Sequence, residues 1–130
     1  MDTSQTLQEL IAPLTRPTTY KDRRVRALNP FAPEDAALLE AVGRGEFALN
    51  GLRNRDLQPR LYPTQPTTKQ EARKRSAKVG RQLRLLRAHG ILAKVPHTHR
   101  YQVTEQGRRI LTAILTARQT PINQLLAKAA

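Results

Sequence analysis

The 130-residue chain has no cysteine and no tryptophan, and aromatic residues make up only 4% of it. Without cysteine there is no disulfide scaffold, no Cys-ligated zinc or iron–sulfur centre and no thiol nucleophile. Acidic residues are also scarce, with 10 Asp and Glu against 23 Lys and Arg. No apolar stretch approaches the roughly 18–20 residues a transmembrane helix needs. The opening MDTSQTLQELIAPLT lacks the basic start and apolar stretch of a secretory signal. Together these absences lead us to expect a cytoplasmic chain. With 38% hydrophobic residues, the expected core is small and built mainly from Leu, Ile, Val and Ala.

The length allows one domain with an arm or two. A formal charge of +13 repels itself in a compact state, so an anionic partner is expected: nucleic acid, an anionic membrane or a ribosome. The charge is unevenly spread. Residues 1–32 balance at +2, 33–62 at −1, 63–90 at +7, 91–103 at +2 and 104–130 at +3. One concentrated block suits a docking surface better than a disordered condenser.

Residues 1–32, with Pro13, Pro17 and Pro30, read as a partly flexible arm carrying a short helix over Leu7, Leu10 and Ile11. Its basic run from Lys21 to Arg26 is either a solvated terminus or a tip that reaches a phosphate backbone or minor groove. Pro33 followed by Glu34 and Asp35 suits a helix start, and Gly43 and Gly45 suit its end. Phe47 and Leu49 alternate as in a short extended segment closed by Asn50-Gly51. Asn54 then caps a two-turn helix carrying Leu57, Leu61 and Tyr62 inward, with Pro59 limiting its length.

The clearest element comes next. Thr68-x-x-Glu71 has the capping-box pattern, and the run that follows ends at Gly90. Ala72, Ser76, Val79, Leu83 and Leu86 fall on one face. Lys69 lies in the first turn, and Gln70, Arg73, Lys74, Ala77, Lys78, Arg81 and Arg84 lie on the opposite face. Ile91–Val95 and Tyr101–Thr104 alternate as strands around a polar tip containing His97, Thr98, His99 and Arg100. A last helix starts near Thr104 with an apolar face of Ile110, Leu111, Ile114, Leu115 and Ala117. Thr120-Pro121 interrupts it before Ile122, Leu125 and Leu126.

The stretches RQLRLLRAHGILAK (from Arg81) and RYQVTEQGRRI (from Arg100) resemble the exit from a recognition helix and the step from a returning strand into a closing helix of bacterial winged helix-turn-helix regulators. The chain also resembles the C-terminal region of a group of uncharacterised bacterial proteins. The first resemblance covers residues 33–118 and implies a mainly α fold with a small β-hairpin, a winged helix-turn-helix domain, with 119–130 as a helical extension. It implies double-stranded DNA as partner, transcriptional regulation or service as the DNA-binding module of a larger system, and a cytoplasmic, nucleoid-associated location.

In such a domain the N-terminal half of the second helix meets base edges. Lys69, Gln70, Arg73, Lys74 and Ala77 occupy that half, while Lys78, Arg81 and Arg84 are placed for phosphates. Lys94, His97, Thr98, His99 and Arg100 form the second contact, at the hairpin. Helix N-termini at Asn54 and Thr68 also offer backbone N–H groups to phosphates.

Plainer readings stand beside these. A charge run on a helix is often only a solvated face. His97-x-His99 has no third ligand, so no metal is expected, and His89 caps carbonyls or faces solvent. Asp56 and Glu46 near Arg53 and Arg55 suggest local ion pairs. The last helix's apolar stripe closes the core, meets a second copy in a homodimer, or marks a cut from a longer parent. No catalytic constellation or cofactor motif is visible, so an enzyme is not expected. Structured-RNA or ribosome binding, and a protein–protein interaction module, are the competing functions.

Overall fold

A computed structural model describes residues 6–119. The fold is mainly α, with two small antiparallel hairpins. In chain order come α1 (Leu7–Ile11), a 3-10 turn (Ala12–Thr15), β1 (Thr18–Tyr20), β2 (Arg23–Val25), α2 (Pro33–Val42) and α3 (Gly45–Asn50). After these follow α4 (Asn54–Leu61), α5 (Lys69–Ala88), β3 (Leu92–Lys94), β4 (Tyr101–Val103) and α6 (Glu105–Gln119). Helix α4 packs on both α2 and α5, and α6 crosses the back against α1 and α2. Leu38, Leu39, Leu52, Leu57, Leu83, Leu86, Ile91, Ile110 and Ile114 form the centre of one continuous core.

Helix α5 starts as its capping pattern requires. Thr68 Oγ1 accepts from the Glu71 N–H at 3.0 Å. The Glu71 carboxylate reaches back to the N–H and hydroxyl of Thr67, at 2.8 and 2.9 Å, one residue earlier than a standard box. Val79, Leu83 and Leu86 are buried as their spacing demands, joined by Gln82 and Leu85. Ala72 is only half-buried and Ser76 is exposed, so the first two turns of α5 extend past the core.

Between α5 and α6 the chain is joined at one point. Gly90 has φ +78°, a left-handed conformation that lets the helix end and the strand begin at once. Thr104 caps α6 by accepting from the Gly107 N–H at 2.9 Å, and it donates its hydroxyl to the Gly90 carbonyl at 2.7 Å. Its own N–H donates to the Ile91 carbonyl at 2.9 Å. Gly107 must lack a side chain here, because a Cβ would lie 2.4 Å from that same carbonyl oxygen.

Two local expectations are corrected. Phe47 and Leu49 lie in a helix, α3, not in an extended segment. Their alternation records one buried and one exposed residue, Leu49 being 85% exposed, which a single helical turn satisfies equally well. The extended position is Leu52, which exchanges backbone hydrogen bonds with Tyr101 at 2.9 and 2.8 Å. Arg53, not Asn54, is the cap of α4, its N–H donating to the Asp56 carboxylate at 2.8 Å. Asn54 instead donates its side-chain amide to the Ser76 carbonyl at 3.0 Å, tying α4 to α5.

The N-terminal segment carries the expected short helix, α1, and after it a hairpin that the sequence reading did not include. Residues 18–25 form a hairpin in which Tyr20 pairs with Arg23 across Lys21-Asp22, both at positive φ. That is the backbone of a type I′ turn, written without the usual Asn or Gly. Leu14 and Leu28 on either side are fully buried, and the Leu28 N–H donates to the Leu14 carbonyl at 2.7 Å.

The segment is fastened by Asp35. Its carboxylate, 7% exposed, accepts two bonds of 3.0 Å from the Arg26 guanidinium and one of 2.9 Å from the Asn29 N–H. Burial alone pushes the Asp35 carboxyl upward, but Arg26 and Asn29 outweigh it and hold the group below its ordinary value.

In the described part of α6, Ile110, Leu111 and Ile114 are buried in the chain's own core. Leu115 is partly buried, with Cδ1 3.2 Å from where a Cβ on Gly43 would stand. The part of the stripe offered to a second copy at Ile114 is therefore consumed within one chain. Ile122, Leu125 and Leu126, and the extension beyond Gln119, lie outside the described residues.

Two stability predictions follow from these contacts. Gly107→Ala should lose about 1–3 kcal/mol in denaturant unfolding, whereas Gly45→Ala, with nothing within 4 Å of its Cβ position, should be neutral or slightly stabilising. Asp35→Asn should cost about 1–2 kcal/mol at neutral pH, the low end reflecting the exposure of Arg26. Because the folded carboxyl sits below its unfolded value, its stabilisation is present above about pH 4 and lost as pH falls through the folded value. Chemical denaturation between pH 7 and pH 3 should therefore fall more steeply for the parent chain than for the Asn variant.

Candidate nucleic-acid interface

Helix α5 lays its inner row on the core, and the residues about half a turn away face outward. Lys69, Gln70, Arg73, Lys74, Ala77, Lys78, Arg81 and Arg84 are all exposed. They run along nearly the full length of the helix, from its first turn to the turn before the last. Only Glu71 breaks the sign of the charge on α5, and it is occupied by Thr67 and by Arg75.

Not every cation on this helix is equally available. Lys78 Nζ lies 2.8 Å from Glu34 at the start of α2, and its hydrogen bond to that carboxylate lifts the ammonium above its ordinary value. The Arg84 Nε is 3.5 Å from the Gly80 carbonyl, at the limit of a hydrogen bond. Among the described residues no ion pair reaches Lys69, Arg73, Lys74 or Arg81.

The β3–β4 hairpin stands beside the C-terminal end of α5, with β3 packed on that helix. Lys94, His97, Thr98 and His99 are exposed on it. Thr98 is committed to the turn, its hydroxyl donating to the Val95 carbonyl at 2.8 Å and accepting from the Arg100 N–H at 3.1 Å. Arg100 is committed too, its guanidinium donating to the Asn50 carbonyl at 2.7 Å alongside Gly51. Among the described residues the hairpin's cation outside these contacts and outside any ion pair is therefore Lys94, with the two exposed histidines beside it.

Arg75 was not among the expected residues. It donates to the Thr64 carbonyl at 2.6 Å and to Glu71 at 2.8 Å, and lies 4.9 Å over the Tyr62 ring. These contacts hold residues 62–68 against α5, a connection longer than the 3–4-residue turn of a compact helix-turn-helix.

The basic run from Lys21 to Arg26, expected as a solvated terminus or a reaching tip, forms a second cationic group on a hairpin that the sequence did not announce. Hairpin β1–β2 packs on α5, and with it walls a cleft of about 710 Å³. Its presence was obscured because Lys21-Asp22 is an uncommon turn pair. The available signal was Thr18-Thr19-Tyr20, a short β-favouring run, followed after a few residues by the β-branched Val25.

His89 is the C-cap residue of α5, its backbone N–H donating to the Leu85 carbonyl at 3.2 Å, while its ring Nε2 meets the Arg26 carbonyl at 2.8 Å, bridging α5 to the N-terminal segment. Asp56 lies 3.8 Å from Arg53, and Glu46 pairs with Arg60, while no ion pair is formed by Arg55 among the described residues. No group of three His, Cys, Asp or Glu is placed to hold a metal among the described residues, and no helix there is long and apolar enough to cross a membrane.

Comparison of the chain with protein-family models, with curated proteins and with solved structures finds no match.

The Lys78–Glu34 pair is directly measurable. In Glu34→Gln the Lys78 ammonium should return downward toward its ordinary value, followed by NMR titration of the side-chain nitrogen, with the other α5 lysines unmoved.

Proposed function

We propose that this chain binds double-stranded DNA as a winged helix-turn-helix domain, serving as a transcriptional regulator or as the DNA-binding module of a larger system. The observation that carries the reading is the outer face of α5. A long helix is anchored by one face in the core, and presents on the other a row of cations and amide groups with almost no acidic offset. Three further features support it. Helices α2, α4 and α5 precede a hairpin, Leu52 pairs with the returning strand at Tyr101, and Thr104 caps the closing helix.

The roles follow from side-chain chemistry. Gln70 and Arg73, near the helix start, suit bidentate contacts to adenine and guanine, and Ala77 suits a thymine methyl. Lys69, Lys74, Arg81 and Arg84 suit phosphates, which set affinity and register without reading sequence. Lys94, His97 and His99 suit the backbone or minor groove beside the hairpin.

Competition gel shifts with duplex DNA, single strands and structured RNA at several salt concentrations test this reading. Duplex DNA should compete best. Duplex binding no stronger than that of an unrelated basic protein at physiological salt would overturn it, and stronger competition by structured RNA would move the function there. Arg81→Ala should weaken binding to every duplex and reduce the salt slope by about 0.9. Lys78→Ala should do less, because Glu34 already holds that ammonium. Gln70→Ala and Arg73→Ala should alter which sequences are selected from a random duplex library; a uniform loss would remove their base-reading role.

A further inference from the structure

The cleft between hairpin β1–β2 and α5 is walled by cations on both sides. Arg23, Arg24 and Arg26 stand on the hairpin side, and Arg81, Arg84 and Arg87 on the helix side. Among the described residues Glu34 is the only carboxylate lining it, and that group is already paired with Lys78. Opposed like charges in a folded chain repel across the gap, and nothing within the described residues neutralises Arg23, Arg24, Arg81 or Arg84. Such an arrangement has its lowest energy with an anion between the walls.

The hairpin is held in position from three directions. Arg26 is tied to Asp35 by two hydrogen bonds. The His89 ring bonds the Arg26 carbonyl at 2.8 Å. The Arg87 guanidinium lies 5.3 Å over the Tyr20 ring, joining the last turn of α5 to β1. The cleft is therefore a built feature with fixed walls, in contrast to a basic tail lying on a surface.

Its position also indicates the shape of the anion. Arg81 and Arg84 line the cleft and also belong to the exposed row on the outer face of α5. The cationic track thus continues out of the cleft and along the helix toward Lys74, Arg73 and Gln70. A small polyanion would be served by one closed pocket. A track that leaves its cleft and runs on fits a polymer with charges at regular intervals.

We propose that hairpin β1–β2 and the C-terminal half of α5 clamp one phosphodiester strand of duplex DNA, giving a third contact beyond the helix face and the β3–β4 hairpin. This rests on the DNA-binding reading above and extends its footprint to the N-terminal hairpin. Each phosphate held there releases condensed counterions, so the clamp adds affinity and salt dependence without sequence preference.

Charge reversal separates the clamp from general attraction. Arg23→Glu and Arg44→Glu change net charge equally, but Arg44 lies at the start of α3, outside the cleft. Fluorescence anisotropy with a mixed-sequence duplex, read from 50 to 300 mM salt, should show Arg23→Glu losing about ten-fold in affinity and roughly one unit of salt slope. Arg44→Glu should lose much less and keep its slope. Equal losses in the two variants, or no loss in Arg23→Glu, would overturn the clamp while leaving the DNA reading intact. Failure of the parent chain to bind duplex would overturn both.

A second measurement does not depend on tolerating the reversal. Because the chain has no cysteine, Asp22→Cys and Arg44→Cys each accept a single tethered iron–EDTA group. Backbone cleavage from position 22 and none from position 44 is expected. Cleavage that is equal from both, or absent from position 22, counts against the clamp.

Discussion

The carboxylate of Asp35 is the point on which the N-terminal third of the molecule depends. It lies in the first turn of α2, beside the positive end of that helix, and three donors from outside the helix converge on it. Those donors belong to Arg26 and Asn29, which bracket the buried Leu28. A single side chain therefore fixes the segment that follows the β1–β2 hairpin and, through it, the hairpin's approach to α5. Arg26 remains 56% exposed while Asp35 is buried, so the pair places its charged partner at the edge of the basic cleft. The same contact that seals the core delivers a guanidinium to the surface.

Much of the fold was legible because the relevant information is local. The start of α5 is written in Thr68 and Glu71, its end in Gly90, and its sidedness in the spacing of Val79, Leu83 and Leu86. The β3–β4 hairpin followed from alternation on either side of a polar tip, and α6 from Thr104 with Ile110, Leu111 and Ile114. Residues 45–50 were misread because six residues cannot distinguish a period of two from a single helical turn. Hairpin β1–β2 was missed because Lys21-Asp22 adopts a left-handed turn without Asn or Gly, and because Leu14 and Leu28 are buried through contacts distant in sequence. Local pattern carries no information about those contacts.

The candidate site was legible in outline and misjudged in detail for the same reason. Helical geometry put Gln70, Arg73, Lys74, Ala77, Lys78, Arg81 and Arg84 on the outer face, and the burial pattern of α5 agrees. Which cations are already engaged is a tertiary fact. Lys78 meets Glu34 from α2, Arg100 meets the Asn50 carbonyl at the end of α3, and Thr98 is used within its own turn. Arg75, which helical angles assign to a flank, holds the loop before α5 instead. Counting charges along the chain overstates the number free to meet a ligand, and overlooks the arginines that a hairpin brings alongside.

The join at Gly90, Ile91, Thr104 and Gly107 has a consequence for the β3–β4 hairpin. Strands of three residues are too short to be rigid on their own account. Here both roots of the hairpin are bonded to helix termini: the end of α5 through Gly90, and the start of α6 through Thr104. With no space for a side chain between Gly107 and the Ile91 carbonyl, the two helix ends and the roots of the hairpin are in direct contact. A ligand arriving at the hairpin meets a surface whose ordering entropy was already lost when the chain folded, so less is lost on binding.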